Sequence, residues 1–363
     1  MSVVSAPQRA LVASFSTLVL AAAPLAASAD AKAPNRPARL AETFQAGEVK
    51  DGRIPSAYAA GADWGLTVDT IYMLAATDGR PRLVQRMGNV LARNAHKYTS
   101  STFENTTYRG AGATAKVLLA ARVLGRSVRT FGGVDYRARL TTFIVRRGVD
   151  TGRLSDRNSD GSDFSNTITQ SLGVIGFARS GSAPQAVVRH LLEQQCPRGY
   201  FTLYMTKGQT CAQAGGGASV DATSYAIQAM LAAKLQGGTH VGAHRIAKAV
   251  RWLVDAQGDN GSFGSDRDIT TRNTNSTGLA ALALVDAGRD GAAMKARVFV
   301  RSLQITRANA GEARSVIGAI AYDRAAFRSS RRDGVTDRDQ FRRATAQGAF
   351  AFAPEPLRIL SAS

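Results

Sequence analysis

A phrase that recurs along this chain leaves few architectures open to it. In "HLLEQQCPRGYF", Leu191 is followed by Gln195, then by Gly199 and the aromatic Phe201. In "WLVDAQGDNGSF", Leu253, Gln257, Gly261 and Phe263 stand at the same offsets. "FIVRRGVDTGRL" keeps Ile144, Gly152 and Leu154 but has Gly148 where glutamine would be, and "FVRSLQ" keeps Val300 and Gln304 without the glycine or the aromatic. Such self-similarity marks a repeat architecture, in which each unit buries its apolar face by stacking on its neighbours. A glutamine ending one helix can bond backbone groups of the adjoining repeat, the glycine permits a tight turn, and the aromatic covers the junction. The phrase reads as a structural staple.

Between staples run helices of two kinds. Small-residue segments open with a polar residue suited to an N-cap: "DWGLTVDTIYMLAATDG" near Asp63, "GAGATAKVLLAARVLG" near Gly110, "SNTITQSLGVIGFA" near Asn166, "DATSYAIQAMLAA" at Asp221 and "NSTGLAALALVDAG" at Asn275. A sixth, "EARSVIGAIAYDRAAF", follows Glu312. Each is succeeded by a larger, more charged helix, such as "RLVQRMGNVLARN", "AVVRHLLEQQ", "RIAKAVRWLVDAQ" or "QFRRATAQGAFAF". No strand alternation interrupts them. Small-residue helices can crowd on an inner ring while amphipathic ones face water. The expectation is an all-α (α/α)6 toroid, a closed barrel of six helical hairpins, rather than an open solenoid, because neither end carries a polar capping repeat. Its limits are placed at residues 46–357, after an N-terminal extension at 30–45 and before a tail at 358–363.

Gln8 and Arg9 precede the apolar run "ALVASFSTLVLAAAPLA", which ends in Ala27, Ser28 and Ala29. That is the pattern of a secretory signal peptide over residues 1–29, too short and Pro-interrupted for an anchor. The expected protein is secreted, extracellular or wall-associated, with no transmembrane anchor. In that compartment the two cysteines, Cys196 and Cys211, are read first as a disulfide, neither having a further cysteine or a histidine at metal-ligand spacing. Lys plus Arg number 46 against 27 Asp plus Glu, a net charge of +19. That balance favours anionic wall or surface polymers. Nucleic acid is not expected, because no basic run is interleaved with aromatics.

The leucine, glutamine, glycine and aromatic offsets resemble the QW repeats of the squalene-hopene cyclase and protein prenyltransferase superfamily, whose fold is the (α/α)6 toroid. The stretches "DWGLTVDTIYMLAA", "FGGVDYRARL", "SDFSNTITQSLGVIGFARSG", "NSTGLAALAL" and "GAIAYDRAAF", with the two cysteines, resemble secreted actinobacterial proteins carrying prenyltransferase or squalene oxidase repeats. The likeness runs over most of the mature chain. If the chain were a class II terpene cyclase, the resemblance would place its acid at Asp221, but Ser219 and Ala222 stand where flanking carboxylates belong. The zinc pair of the prenyltransferases and the Cys–Gln spacing of thioester proteins are missing. The cobalamin carriers of the superfamily imply a third role, holding a small molecule.

The resulting expectation is a binding protein without a cofactor, its ligand an isoprenoid-like small molecule or an anionic surface polymer, with a degenerate cyclase as the alternative. The concave site implied by the toroid would present Trp64, Asp69, Asn166, Asp221, Tyr225 and Asn275 at inner-helix N-termini, with Tyr200 and Phe263 at the rim. Helix N-termini there would favour an anionic or polar headgroup. A polysaccharide lyase or hydrolase is a more distant possibility, since His96, His190, His240 and His244 fall on outer helices or loops. "DRNSDGSD" resembles a calcium loop at Asp156, Asn158, Asp160 and Gly161 but has Thr167 at the twelfth position, so it reads as a polar turn and no metal is expected.

Overall fold

A computed structural model describes residues 35–236, 241–266 and 270–362; the expected signal peptide and His240 lie outside them. The elements run α1 (Arg36–Gly47), α2 (Trp64–Thr77), α3 (Pro81–Thr99), a hairpin of β1 (Ser100–Phe103) and β2 (Thr106–Arg109), then α4 (Ala111–Val123) and α5 (Tyr136–Thr141). They continue with α6 (Thr167–Arg179), α7 (Gln185–Glu193), α8 (Cys211–Ala214), α9 (Val220–Leu235) and α10 (Ala243–Asp255). The last are α11 (Thr274–Asp286), α12 (Asp290–Ser302), α13 (Arg324–Asp333) and α14 (Arg338–Gly348). The short antiparallel hairpin before α4 departs from the all-helical expectation.

Helix α2 touches α4, α4 touches α6, and the series runs on through α9, α11 and α14, which touches α2. The first five of these are the small-residue helices. In α6 all but Ile168 and Arg179 are buried, because neighbours flank it on several sides. Outer helix α10 instead buries one stripe, Ile246, Ala249, Val250 and Leu253, at the spacing of a single helical face.

The staple has the predicted anatomy. Gln257 Nε2 donates to the Gly261 carbonyl at 3.0 Å and, in the next outer helix, to Ala292 at 2.9 Å. Gln195 does the same with Gly199 (3.1 Å) and Arg245 (2.9 Å). A hydroxyl completes each junction: Thr223 Oγ1 accepts the Phe201 N–H and Thr277 Oγ1 the Phe263 N–H. The third repeat is resolved differently from the sequence expectation. Ile144, bridged to Leu154 as Gln195 is to Phe201, stands in the glutamine's place. The amide comes from Gln170 on α6, whose Nε2 donates to Gly152 and Val187 while its Oε1 accepts the Leu154 N–H.

The sixth repeat corrects the sequence reading. "EARSVIGAIAYDRAAF" is expected as an inner helix, yet only Ala313–Val316 form a 3-10 turn before α13. Gln304 still makes the staple, to Gly318 (3.1 Å) and Pro37 (2.9 Å), across an inserted loop that hides the glycine from the pattern. Gly318 adopts φ +99°, and a Cβ there would run into the Leu40 carbonyl, so the apolar stretch is the turn itself. "QFRRATAQGAFAF", expected outside, supplies the ring member α14. Residues 36–45, expected as an extension, belong to α1, which buries Ala38, Ala41 and Phe44 and touches α2 and α14.

The C-terminal segment lies across the C-terminal ends of the inner helices. Arg179 donates to the Leu357 carbonyl at 2.7 Å, Arg358 pairs with Asp286 at 2.6 Å, and the Ala362 N–H bonds Val123 at 2.7 Å. Leu357 and Leu360 are buried. Cys196 and Cys211 form the expected disulfide, with Cα atoms 4.9 Å apart. No described helix is long and apolar enough to cross a membrane.

Candidate functional site

The N-terminal ends of the inner helices are tied to one another. Thr167 N–H of α6 bonds Leu203, Val220 N–H of α9 bonds Ser265, and Thr274 N–H of α11 bonds Tyr322. Each acceptor lies on the segment leading to the next ring helix, so these N-termini share one end of the ring. Caps satisfy further amides: Asp63 accepts from Leu66 (2.8 Å), Asn166 from Thr169 (3.0 Å), Ser219 from Ala222 (3.2 Å) and Asn273 from Ser276 (2.9 Å). The caps of α9 and α11 are thus Ser219 and Asn273. Asp221 and Asn275, expected to open those helices, sit two residues further in, where their side chains have no capping duty. Gly110 has no side chain to cap α4, and Asp156 of the following loop accepts the Ala111 N–H at 2.8 Å.

Asp221 is held from outside its own helix. The Ser265 hydroxyl donates to Asp221 Oδ2 at 2.9 Å, while the buried Oδ1 has no partner. Burial pushes the carboxyl pKa up to about 6; the Ser276 and Ser265 hydroxyls pull the other way, and the Asp266 charge adds to the rise. On α11, Asn275 Oδ1 is also buried without a partner. The Ser276 hydroxyl of α11, which bonds no other group, is within electrostatic reach of Asp221, so Asp221 Oδ1, Asn275 Oδ1 and Ser276 Oγ are three buried polar atoms on adjoining ring helices with no settled partner.

A second polar group joins α2 to α4. Lys116 Nζ lies 2.6 Å from Asp69 Oδ1 and 3.3 Å from the Gly65 carbonyl, and the Tyr72 hydroxyl donates to the Lys116 carbonyl at 2.7 Å. Burial opposes the lysine charge, but the Asp69 carboxylate beside it holds its pKa above that of a free lysine. Burial also raises the phenol pKa values of Tyr72, Tyr98 and Tyr225, and the Asp69 charge raises them further. These hydroxyls stay protonated across the ordinary pH range. Next to Tyr98 opens a cavity of about 180 Å³ bounded by Thr99, Ser101, Tyr108, Asp156 and Phe164, among others.

The remaining sequence candidates divide. Asp69 and Tyr225 share the electrostatic environment of Lys116, and Trp64 opens α2, packed against the core. Asn166 is occupied as a cap. Tyr200, expected at the rim, lies 5.5 Å from the Trp252 ring on outer helix α10 and bonds the Gly216 carbonyl. Phe263 is fully buried in its staple, so it is no rim residue. In the loop that resembles a calcium site, Asp156 accepts the Ala111 and Phe164 amides, Asn158 the Arg109 amide, and Asp163 pairs with Arg153 at 3.0 Å. His190 is on outer helix α7, as expected, and buried, with neither ring nitrogen partnered.

Sequence reasoning passes over Lys116, Tyr98, Ser265 and Asp266. The signal for the lysine is present: a lone charge in the second turn of a small-residue helix, matched by Asp69 in the second turn of the preceding ring helix. Ser265 and Asp266 follow a staple phenylalanine and carry no local signal; only the return of that segment past α9, where Ser219 bridges Asp266, brings them to Asp221.

No protein-family model matches this sequence, and no curated protein matches it. Solved structures do resemble it. A protein from Actinoplanes superposes with a TM-score of 0.57 at 17% identity, covering 87% of this chain and 97% of its own. The type II terpene cyclase MstE from Scytonema gives 0.56 at 14%, with 87% and 96% covered. An unsaturated glucuronyl hydrolase specific for heparin gives 0.56 at 12%, with 87% and 94% covered. The last two are α/α toroids, and at these identities the likeness is one of fold.

Proposed function

We propose that this chain is a secreted α/α toroid, its ring closed by six outer and inner helix pairs, that binds a small hydroxyl-bearing molecule at the inner-helix N-termini. The observation that carries this reading is the pair of unpartnered acceptors, Asp221 Oδ1 and Asn275 Oδ1. A buried acceptor without a donor costs roughly 1–3 kcal/mol, and a ligand that offers one hydroxyl to each oxygen relieves it. An anionic headgroup suits the mouth less, because the opening amides of α6, α9 and α11 already bond carbonyls and the Lys116 charge is paired with Asp69. Export rests on the leader-like residues 1–29, and a disulfide is compatible with it.

Catalysis on the same ligand is a second reading, favoured by the electrostatic reach of Asp266 to Asp221. A carboxyl with its pKa raised to about 6 is a weaker acid than usual, by about two powers of ten. That counts against protonating an alkene and suits general-acid cleavage of a polar bond.

Native mass spectrometry of protein from culture supernatant tests both. A retained polar molecule that Asp221→Asn and Asn275→Ala release supports binding, and conversion of that molecule by the wild type alone moves the weight to catalysis. A retained isoprenoid, or retention indifferent to both substitutions, overturns the proposal.

A further inference from the structure

The positive charge of the chain is not spread evenly over its helices. Helix α3, 19 residues long, carries Arg82, Arg86, Arg93 and Lys97 and no acidic residue. All four cations are exposed, while Val84, Met87, Leu91 and Ala95 bury the opposite face. At about 100° per residue the four fall within about 60° of arc, in a row that runs about 22 Å along the helix. Among the described residues none of the four pairs with a carboxylate. Both flanks add cations. On one, a Cβ at Gly52 would run into Val90, which sets the turn of Lys50 and Arg53 alongside. On the other, Arg126 donates to the Gln85 carbonyl and amide oxygens (3.2 and 3.1 Å), and a Cβ at Gly132 would run into the Ala92 carbonyl, so the loop of Arg126 and Arg129 lies against the helix. Acids on these segments are engaged: Asp51 lies 4.0 Å from Arg53, Glu42 pairs with Arg80 at 2.9 Å, and Asp135 caps α5. Asp78 and Glu104 stand in the turns beyond the two ends of the row. Other helices pair or alternate their charges: Arg189 with Glu193 on α7, Arg332 with Asp333 on α13, and the α14 arginines with Glu48, Asp63 and Asp339, while α10 and α12 include Asp255 and Asp290.

The row does nothing for the helix that carries it. Like charges four residues apart repel, and Arg82 with Arg86, and Arg93 with Lys97, are two such pairs. Arg82 also stands in the first turn, where the helix dipole favours an anion. We infer that the exposed face of α3 binds an extended anionic polymer, a chain with a negative group on each repeating unit, laid along the helix axis. Charges strung in a line over this length cannot converge on one small anion, whereas a linear polyanion meets them all and releases its counterions. Guanidinium forks suit phosphate and carboxylate polymers alike. A lipid surface fits less well, because the row has no exposed apolar side chain to enter the headgroups. Nucleic acid fits less well, because no exposed aromatic stands among the cations to stack on bases. Occupancy of the mouth around Asp221 is not required.

Calorimetry with the intact protein from culture supernatant tests it. The probes are polygalacturonate and inorganic polyphosphate, with dextran, phosphatidylglycerol vesicles and duplex DNA as comparisons. Binding of a polyanion is expected, with an affinity that falls steeply as salt is raised. Preference for polyphosphate names a phosphate polymer and preference for polygalacturonate a carboxylate one, and either supports the row. The variant R82Q/R86Q/R93Q/K97Q is expected to bind about tenfold or more weakly and with a flatter salt dependence. Glutamine keeps helix propensity at these exposed positions, so the melting curve is expected to stay in place. The control R301Q/R307Q/R314Q/R324Q removes the same charge from exposed positions elsewhere and is expected to keep its affinity within about twofold. The half-row variants R82Q/R86Q and R93Q/K97Q are each expected to lose part of the affinity. Equal losses in the row and control variants would mean that net charge alone attracts the polymer, and would overturn the assignment to α3. Loss confined to one half-row, binding of neither polyanion, or tighter binding of dextran, vesicles or DNA would overturn it as well.

Discussion

Asp221 and His190 show opposite consequences of burying an ionisable group. The Asp221 carboxyl keeps its proton to about pH 6 when folded, while in the unfolded chain it ionises near 3.8. Between those values the folded state holds more protons, so stability falls as pH rises from about 4 to 6. Asp221→Asn is therefore expected to stabilise the protein at pH 7, by on the order of 2 kcal/mol, in denaturant melts, with the gain vanishing below pH 4. Lower stability of the variant at pH 7 would mean that the carboxylate is structurally needed. Burial instead pushes His190 down to about 4 from 6.5, with Asp150 opposing and Arg153 reinforcing. The unfolded chain takes up that proton first, so stability falls as pH drops from about 6.5 to 4. His190→Leu should flatten this acid limb and leave the Asp221 slope in place, which paired melts across pH 3.5 to 8 would read.

The staples are where an element's ends meet its neighbour, and their amides differ in burial. Gln257 is partly exposed and bonds two carbonyls; Gln170 is wholly buried and serves three backbone groups, including the Leu154 amide. Gln257→Ala is expected to cost about 1 to 2 kcal/mol, and Gln170→Leu about 3 kcal/mol or more, since it strands buried groups without water. Equal losses in urea melts would contradict the assignment of Gln170 as the substitute staple. The repeats with glutamine, glycine and aromatic at fixed offsets are legible because every part is local. Gln170 is not, because its partners Gly152 and Val187 lie on either side of it in sequence and meet only when α6 docks between them. The sixth repeat is misread because an apolar, small-residue turn and an inner helix have the same composition.

Across the whole molecule, the C-terminal segment joins inner helices far apart in the chain, through Leu357 to Arg179 and Gln228 and through Ala362 to Val123. Truncation after Phe352 removes these contacts and the buried Leu357 and Leu360, and is expected to lower the melting temperature by about 10 °C or more, each buried leucine contributing roughly 2 kcal/mol. An unchanged melt would show that the ring holds without it. Helical character, the inner and outer classes of helix, the staple and the cysteine pairing are all readable from the order of residues. They depend on spacing along one segment, where periodicity and turn chemistry are enough. Packing settles which helix completes the ring, that Asp69 meets Lys116, that Ser265 and Asp266 reach Asp221, and that Phe263 is buried while Phe164 is exposed. Each of those is a meeting of distant segments, fixed by helices docking side by side, which no short stretch of sequence encodes.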